Sequence, residues 1–360
     1  MRCAVFVLSG TMGNQIAIRS LLKQPPYSVI CNRQSHLFQY ECGTVSAFSQ
    51  AQMIPVIPKN SAHMSLEDII PNVVPDDGDT HCSPKRVISI ENTIGGRTVP
   101  LEEVGRISNY ARAKGISLHI DGARLWNACY QSEAPMTASQ AAEGARRLLK
   151  SYCSLANTVS LCLSKSLGAP GGSVLACNSP DLASRARHFR KAMGGGMRQI
   201  GVLTAPGRVA IESVFLSGEH LPRANAIAKR LEDTWKSLGG QVQPGLDQET
   251  NMVWLDLDGM GITDEEFVRI VTPYGVKVSD GRIVTHYRES ISGSRHSPSP
   301  PSRYNMLRTR LLNHIIASEI TDDAVTALED ALRTVAETGQ GGRRQRPSKQ
   351  VEGEKATPLS

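Results

Sequence analysis

Lys165 directly follows an apolar run, LCLS at residues 161–164, where a charged side chain is uncommon. Taking an ammonium group out of water is costly unless the group is paired or neutral. This stretch alone therefore supports two interpretations: the side chain extends to solvent from an edge strand, or it is a reactive amine. A reactive lysine amine attacks carbonyl carbons and forms imines.

Asp121 ends a second apolar run, GISLHID, and Arg124 follows it in the sequence HIDGARLWNA at residues 119–128. Taken alone, this pattern is explained by an ion pair between the two side chains or by a helix cap. A carboxylate at the end of a buried strand has another use, because it can hold a proton on the nitrogen of a heterocyclic ring.

His36 and Arg282 also stand in or near predicted strands. His36 belongs to RQSHLFQYECG at residues 33–43, and Arg282 belongs to GRIVTHY at residues 281–287. A single histidine is more often structural than catalytic, and an arginine on a strand is consistent with an exposed surface. At a ligand site, however, an arginine can bind a carboxylate through two hydrogen bonds.

The segment LSGTMGN, residues 8–14, follows a predicted strand and opens a predicted helix. Gly10 and Gly13 let the backbone approach a ligand, and the helix N-terminus offers unpaired N–H groups that suit a phosphate. A plain strand-to-helix turn explains the segment equally well. In combination, a lysine for an imine, an aspartate for a ring nitrogen, a phosphate site and an arginine for a carboxylate match what pyridoxal phosphate acting on an amino acid requires.

Apolar runs and helical patterns alternate along the chain. Six short runs predict strands that are covered by helices on both faces: CAVFVL, YSVICN, RVISIEN, GISLHID, TVSLCLS and GSVLACN. Amphipathic patterns between them predict helices, such as the one that starts at Pro100 and ends at Gly115. The alternation predicts an α/β fold with a doubly wound, mostly parallel sheet, which binds ligands at the carboxyl ends of its strands.

The chain of 360 residues is long enough for two domains. We predict a large α/β domain over residues 1–215 and a smaller C-terminal α/β domain over residues 216–338, with a capping box that begins at Thr263. Within the smaller domain, residues 288–318 read as a Pro/Ser/Arg-rich insert, and residues 339–360 read as a disordered tail.

Composition argues against several classes of protein. The net charge of +6 comes from the insert and the tail: residues 288–310 carry five Arg against one Glu, and the tail carries five Lys or Arg against two Glu. Nucleic-acid binding is therefore not expected. The eight cysteines form no C-x-x-C pair and have no histidine at metal-ligand spacing, which predicts reduced thiols and no metal site. No apolar run approaches a membrane span and the N-terminus does not read as a signal peptide, so we predict a cytoplasmic protein.

Five motifs occur in one order along the chain: SGTMGN at 9–14, SHLFQYECG at 35–43, HIDGARLWNA at 119–128, LSKSLGAPGGSVL at 163–175 and GRIVTHY at 281–287. In these five motifs and in their order, the chain resembles the threonine aldolase family of fold type I pyridoxal-phosphate-dependent enzymes. The similarity extends to IENTIGGRTVPLEEV, where Ile94 replaces a histidine found in some members, and to RKAMGGGMRQIG.

The resemblance implies roles for individual residues. Lys165 is implied as the Schiff-base lysine, His36 as the residue that stacks on the cofactor ring, and Asp121 as the partner of the pyridine nitrogen; these are the predicted catalytic residues. Arg124 and Arg282 are implied to hold the substrate carboxylate. The predicted cofactor-binding set is Ser9, Gly10, Thr11, His36, Asp121, Arg124 and Lys165.

The implied reaction cleaves a 3-hydroxy amino acid, such as L-threonine or L-allo-threonine, to glycine and an aldehyde. The enzyme would be an aldehyde-lyase in which His36 or an ordered water removes the β-hydroxyl proton. The resemblance also implies a homodimer or homotetramer with shared sites.

Two alternatives remain open. Amino-acid racemases closely resemble this family, because a Cα carbanion protonated on its opposite face inverts the centre. A truncated, non-enzymatic partner of a full-length homologue is the other alternative. It is considered because the chain starts only eight residues before Ser9, whereas the family normally carries a further N-terminal segment, and because residues 288–318 interrupt the passage after Tyr287.

Overall fold

The computed structural model describes residues 3–74, 80–130, 136–274, 278–287 and 322–343. Within these residues, strands and helices alternate as the sequence predicts. The strands are β1 (Cys3–Val7), β2 (Ser28–Asn32), β3 (Gln52–Val56), β4 (Lys85–Glu91), β5 (Ser117–Asp121), β6 (Thr158–Cys162), β7 (Ser173–Cys177), β8 (Met252–Trp254) and β9 (Arg282–Val284).

Seven of the described strands form one mixed sheet in the order β1-β7-β6-β5-β4-β2-β3. β7 is antiparallel to both of its neighbours, β1 and β6, and the other pairs in this sheet are parallel. The carboxyl ends of the six strands other than β7 therefore lie at one edge of the sheet, where α/β folds bind their ligands.

Helices connect these strands. They are α1 (Gly10–Leu21), α2 (His36–Gln39), α3 (Thr44–Ser49), α4 (Leu66–Ile69), α5 (Leu101–Ala113), α6 (Leu125–Ala128), α7 (Ala138–Leu155), α8 (Pro180–Ala192), α9 (Gly201–Ala210), α10 (His220–Ser237), α11 (Leu257–Met260), α12 (Asp264–Val271) and α13 (Asp322–Arg343). A π-helical turn, Ile211–Phe215, directly follows α9, and 3₁₀ turns cover Ile70–Asn72 and Thr272–Tyr274. The predicted capping box is present before α12, where Thr263 and Glu266 cap each other's backbone N–H.

β3 is a strand that the sequence analysis missed. It lies at the edge of the large sheet beside β2 and contains Pro55. Proline has no N–H to donate to a neighbouring strand, so it is confined largely to edge strands and weakens the strand signal of its sequence. The predicted strands all lie further inside the sheet or carry stronger apolar runs.

Apolar side chains on both faces of the large sheet form its cores. On one face, Ile88, Ile120 and Val159 come from three adjacent strands and pack with residues of α5 and α7. On the other face, Ile18 of α1 packs with Val29 of β2. Burial of each such side chain stabilises the fold by roughly 1.5–3 kcal/mol relative to its exposure. The predicted α/β architecture with helices on both faces is thus confirmed.

β8 and β9 form a second, antiparallel sheet with its own apolar core. Trp235 of α10, Phe267 of α12 and Leu332 of α13 are buried in this core. Leu221, near the start of α10, belongs instead to the core of the large sheet, so α10 contributes to both. The predicted domain boundary at residue 215 remains a prediction.

The predicted insert at residues 288–318 lies outside the described residues. α13 continues to Arg343, past residue 339 where the predicted tail begins, because each residue added to a helix gains a backbone hydrogen bond. The remainder of the tail lies outside the described residues. None of the described helices is long and apolar enough to cross a membrane.

Candidate active site

The carboxyl ends of β4, β5 and β6 place acidic residues and a lysine side by side. Glu91 ends β4 and is paired in register with Asp121, which ends β5. Asp121 is in turn paired with Ser160 of β6, and Lys165 lies shortly after the end of β6. Because these strands are parallel, the residues that follow them emerge at the same edge of the sheet.

Asp121 is buried and held by two donors. Its Oδ1 accepts a hydrogen bond from the backbone N–H of Ala123 over 3.1 Å, and its Oδ2 accepts one from the side chain of Asn14 over 2.7 Å. A buried carboxylate needs such partners to remain charged. Among the described residues no salt bridge joins Asp121 to Arg124, and α6 has no side-chain cap. Neither of the two local explanations of this motif, an ion pair or a helix cap, therefore accounts for Asp121.

Asn14, on α1, connects Asp121 to a second buried carboxylate. Its Nδ2 also donates to Glu41 Oε1 over 2.8 Å, and its Oδ1 accepts from His119 Nε2 over 3.2 Å. Burial lowers the pKa of His119 to about 4, so this imidazole is neutral at pH 7. With its proton on Nε2, His119 accepts at Nδ1 the hydroxyl proton of Thr158 over 2.9 Å.

His36 is fixed at two points. Its backbone N–H donates to Glu91 Oε2 over 2.5 Å, and its ring Nδ1 donates to Glu41 Oε1 over 2.9 Å. The bond to Glu41 raises the pKa of His36, while burial and the charge of Lys165 oppose this increase and Asp121 supports it. Hydrogen bonds through Glu41 and Asn14 connect His36 to Asp121, and the charge of Lys165 also acts on the imidazole. The structure thus brings the three predicted catalytic residues together.

Glu91 adds an unusual carboxyl group to this site. Part of the residue reaches solvent, but its carboxyl group lies inside the protein. Burial and then the charge of Asp121 raise the pKa of Glu91 to about 8. A carboxyl group with such a pKa can carry a proton at neutral pH, and therefore can donate as well as accept one.

Lys165 lies in a closed loop, residues 163–172, which we call the lysine loop. Leu163 N–H donates to Gly172 O over 3.0 Å, and Gly168 N–H donates to Lys165 O over 2.9 Å. Gly172 has a φ of +93°, and a Cβ there would overlap the ring of Phe6. The Lys165 side chain is half-buried and its charge acts on His36 and Glu91, so it does not extend freely into solvent from an edge strand.

Arg124 and Arg282 lie close enough for their charges to interact. Burial, followed by the like charge of Arg282, lowers the pKa of Arg124 to about 10. The Arg282 guanidinium lies over the ring of Trp254, 5.7 Å from its centroid. Among the described residues, neither guanidinium forms an ion pair with a carboxylate. Two adjacent cations without an anionic partner are suited to binding an anion.

The N-terminus of α1 lies next to this site. Ser9 caps the helix by accepting from Met12 N–H over 3.1 Å, and the first turn contains no acidic residue. The hydroxyl of Ser173, 3.7 Å from where a Cβ of Gly10 would lie, is buried and finds no hydrogen-bond partner among the described residues. Backbone N–H groups of Gly10 and Thr11 together with an unsatisfied hydroxyl fit the requirements of a phosphate.

A separate cavity of about 490 Å³ lies beside β8 and β9. It shares Arg282 with the site described above, but its lining includes Asp256, Asp264, Glu265 and Asp280. This lining repels an amino-acid carboxylate and a phosphate, so size alone does not identify the place of the chemistry. The strand ends carry the lysine, the aspartate and the histidine.

Four polar residues of the site escaped the sequence analysis as functional candidates: Asn14, Glu41, Glu91 and His119. Glu91 ends an apolar run just as Asp121 does, so the same signal could have found it. Glu41 and Asn14 carry no comparable local signal, because they are recognised only through contacts with each other and with Asp121.

The sequence profile of the beta-eliminating lyases matches residues 1–258. The chain belongs to the beta-eliminating lyase family. It is a family of pyridoxal-phosphate-dependent enzymes, and the predicted resemblance to threonine aldolases is confirmed.

Sequence similarity to individual aldolases and to a racemase supports this assignment. The aldolase vrtJ of Penicillium aethiopicum is 44% identical over 284 residues, covering 79% of this chain and 69% of the relative. The low specificity L-threonine aldolase of Saccharomyces cerevisiae is 39% identical over 284 residues, with the same two coverages, 79% and 69%. The alanine racemase TOXG of Cochliobolus carbonum is 37% identical over 292 residues, covering 80% of this chain and 71% of the relative.

A solved structure of Leishmania major threonine aldolase matches the fold with a TM-score of 0.65. The match covers 94% of this chain and 84% of that chain, at 18% sequence identity. At this sequence identity the match supports the fold alone, and that fold agrees with the predicted fold type I architecture.

Proposed function

We propose that this protein is a pyridoxal-phosphate-dependent lyase that cleaves a 3-hydroxy amino acid, L-threonine or L-allo-threonine, to glycine and an aldehyde. The observation that carries the proposal is the convergence of Lys165, Asp121 and His36 at one edge of the sheet. Arg124 and Arg282 lie beside them, and within the described part of the chain neither guanidinium pairs with a carboxylate. Similarity to named threonine aldolases supports the same reaction.

The residues present fit this cofactor. Asp121 would hold the ring nitrogen, His36 would lie against the ring, and the N-terminus of α1 at Ser9, Gly10 and Thr11 would hold the phosphate. When bound, pyridoxal phosphate supplies an aldehyde that reacts with an amine and an electron-poor ring that takes up the electron pair released at Cα. Lys165 is the amine that the site offers.

The remaining residues would bind the substrate and move its proton. Arg124 and Arg282 would hold the carboxylate, which fixes the orientation of the Cα–Cβ bond. A base must then remove the β-hydroxyl proton as this bond breaks. His36, or a water held at the site, would serve as that base; the raised pKa of His36 means that its neutral, basic form predominates only at higher pH.

Trapping of the cofactor tests this proposal. Purified protein would be incubated with pyridoxal phosphate, reduced with borohydride and digested, and we expect the label on Lys165. Lys165→Ala should lose the label, whereas Lys150→Ala, which removes an exposed lysine of α7, should keep it. Acetaldehyde and glycine should form from L-threonine with the wild type. A chain that takes up no label and forms no acetaldehyde would instead favour the non-enzymatic alternative.

Amino-acid racemization is a second candidate function, because the alanine racemase TOXG is nearly as similar as the aldolases. Both reactions need the lysine, the ring-nitrogen partner and the carboxylate site, so the residues described do not separate them. Incubation with L-alanine and with L-threonine distinguishes the two. D-alanine without acetaldehyde would overturn the lyase assignment. A homodimer or homotetramer and a cytoplasmic location remain predictions from the sequence.

A further inference from the structure

The lysine loop is held by two consecutive residues that follow β9. The Nε2–H of His286 donates to Lys165 O over 3.1 Å, and the hydroxyl of Tyr287 donates to Leu167 O over 3.1 Å. These residues lie about 120 positions further along the chain. Both bonds reach carbonyl groups of the loop itself, so they act on the backbone that carries the lysine.

Ring stacking fixes the orientation of these two donors. The Tyr287 ring is buried and contacts two other rings, those of His286 at a centroid distance of 4.6 Å and of His220 of α10 at 4.8 Å. The interplanar angles are 27° and 31°. A buried donor ring that packs against two other rings loses little further freedom when it forms its hydrogen bond.

The backbone before these residues is fixed as well. Thr285 N–H donates to Asn251 O over 2.9 Å, and the Thr285 hydroxyl donates to Ala224 O of α10 over 2.7 Å. The side chain of Asn251 returns a bond to Thr285 O over 2.7 Å. The segment that holds the lysine loop is therefore attached to α10 and to the residue that precedes β8.

β9 also carries Arg282, whose charge acts on Arg124 in the site. One short segment, residues 282–287, thus places an arginine of the site and the backbone of the lysine relative to each other. We infer that His286 and Tyr287 are positioning residues for Lys165: they hold its loop at the distance from Arg282 that the reaction requires. This inference rests on the proposed function, in which Lys165 is the reacting amine.

The rate at which Lys165 is labelled tests the inference independently of turnover. Full-length His286→Ala, His286→Gln and Tyr287→Phe would be incubated with pyridoxal phosphate for graded times, reduced with borohydride and analysed by peptide mapping. Loss of one hydrogen bond corresponds to about a fivefold to tenfold change in a rate or equilibrium constant. We expect labelling of Lys165 to slow by that factor in His286→Ala and Tyr287→Phe, and His286→Gln to recover part of it, because an amide N–H can reach the same carbonyl.

Matched controls separate positioning from general stability. His188→Ala removes a histidine that also bonds a carbonyl, Ser184 O, but on the exposed face of α8. Tyr274→Phe removes the hydroxyl that bonds Thr334 in the second core. In both control variants, Lys165 should be labelled at the wild-type rate. With L-threonine, the positioning variants should lose kcat by a similar factor while KM changes less than twofold.

Unchanged labelling of Lys165 in folded Tyr287→Phe and His286→Gln would overturn the inference. Tyr287→Phe keeps the stacked ring and loses one hydroxyl, so it serves if His286→Ala does not fold. Wild-type protein that is never labelled at Lys165 would refute the proposed function itself. If Lys165 is labelled in the wild type and at the same rate in the variants, only the positioning role is refuted.

Discussion

Asn14 Nδ2 lies 2.7 Å from Asp121 Oδ2 and also donates to the carboxylate of Glu41. A single amide of α1 therefore links the residue that ends β5 to the partner of His36. Hydrogen bonds to charged groups contribute roughly 1.5–3 kcal/mol. Removal of this amide leaves Asp121 with the Ala123 N–H as its remaining described donor.

Asn14→Ala should accordingly weaken pyridoxal phosphate binding by about tenfold or more, because Asp121 loses the charged hydrogen bond that holds its Oδ2 in place. Absorbance titration with the cofactor would measure the dissociation constant. Gln15→Ala is the matched control, since Gln15 also donates from α1 to Glu41, over 2.6 Å, but does not contact Asp121. Equal losses in the two variants would show that the contact with Asp121 has no special role.

The pair of Glu41 and His36 predicts a change in the pH dependence of the reaction. The hydrogen bond that His36 donates to Glu41 raises the pKa of His36, so the neutral imidazole predominates only above that raised value. Glu41→Gln removes the main cause of the increase. If neutral His36 is the base, the acidic limb of kcat/KM should move to lower pH in this variant. A limb that stays in place would indicate that an ordered water is the base instead.

The sequence could predict which strands meet at the site. Asp121 and Lys165 each follow an apolar run, and the alternation of runs and helices implies parallel strands whose ends lie together. These features are local in sequence, so they can be recognised without knowledge of tertiary contacts.

The polar network around Asp121 could not be predicted in the same way. Asn14 and Asp121 are separated by 107 positions, and Asn14 and Glu41 by 27. The raised pKa of Glu91 depends on its register with Asp121, and a shift of one residue between β4 and β5 would turn it to the other face. Register and long-range contacts are properties of the packed chain.

Two neighbouring glycines of the lysine loop should respond differently to alanine. Gly172 has a φ of +93° and its Cβ would overlap the Phe6 ring, whereas a Cβ at Gly171 meets only Leu203 Cδ2 at 4.0 Å. Gly172→Ala should lower the free energy of unfolding by at least about 2 kcal/mol. Gly171→Ala should change it by less than about 0.5 kcal/mol. Urea unfolding of both variants would test this, and equal effects would contradict the described loop geometry.

Arg282→Ala should weaken substrate binding. Loss of a charged hydrogen-bond partner for the carboxylate raises KM for L-threonine by about tenfold to a hundredfold, with a smaller effect on kcat. Arg230→Ala is the control, because Arg230 is an exposed arginine that pairs with Glu329 on α13, away from the site. A KM that is unchanged in Arg282→Ala would remove this residue from the substrate site.

Glu91 makes the stability of the cofactor-free protein depend on pH. Its pKa rises from 4.5 to about 8 on folding, because of burial and then the charge of Asp121. The folded state therefore binds this proton more tightly than the unfolded state. The contribution to stability is complete below about pH 4.5 and is lost as the pH rises through about 8, with a slope of at most about 1.4 kcal/mol per pH unit.

Glu91→Gln cannot ionise, so it should remove this slope. Relative to wild type, the variant should gain thermal stability progressively from about pH 5 to about pH 9, as measured by differential scanning calorimetry at matched ionic strength. Glu67→Gln is the control, since the hydrogen bond from Arg106 lowers the pKa of the exposed Glu67 and places its titration below this range. If the difference in thermal stability between Glu91→Gln and wild type stays constant from about pH 5 to about pH 9, Glu91 is ionised throughout this range. Its carboxylate would then accept from His36 N–H without carrying a proton.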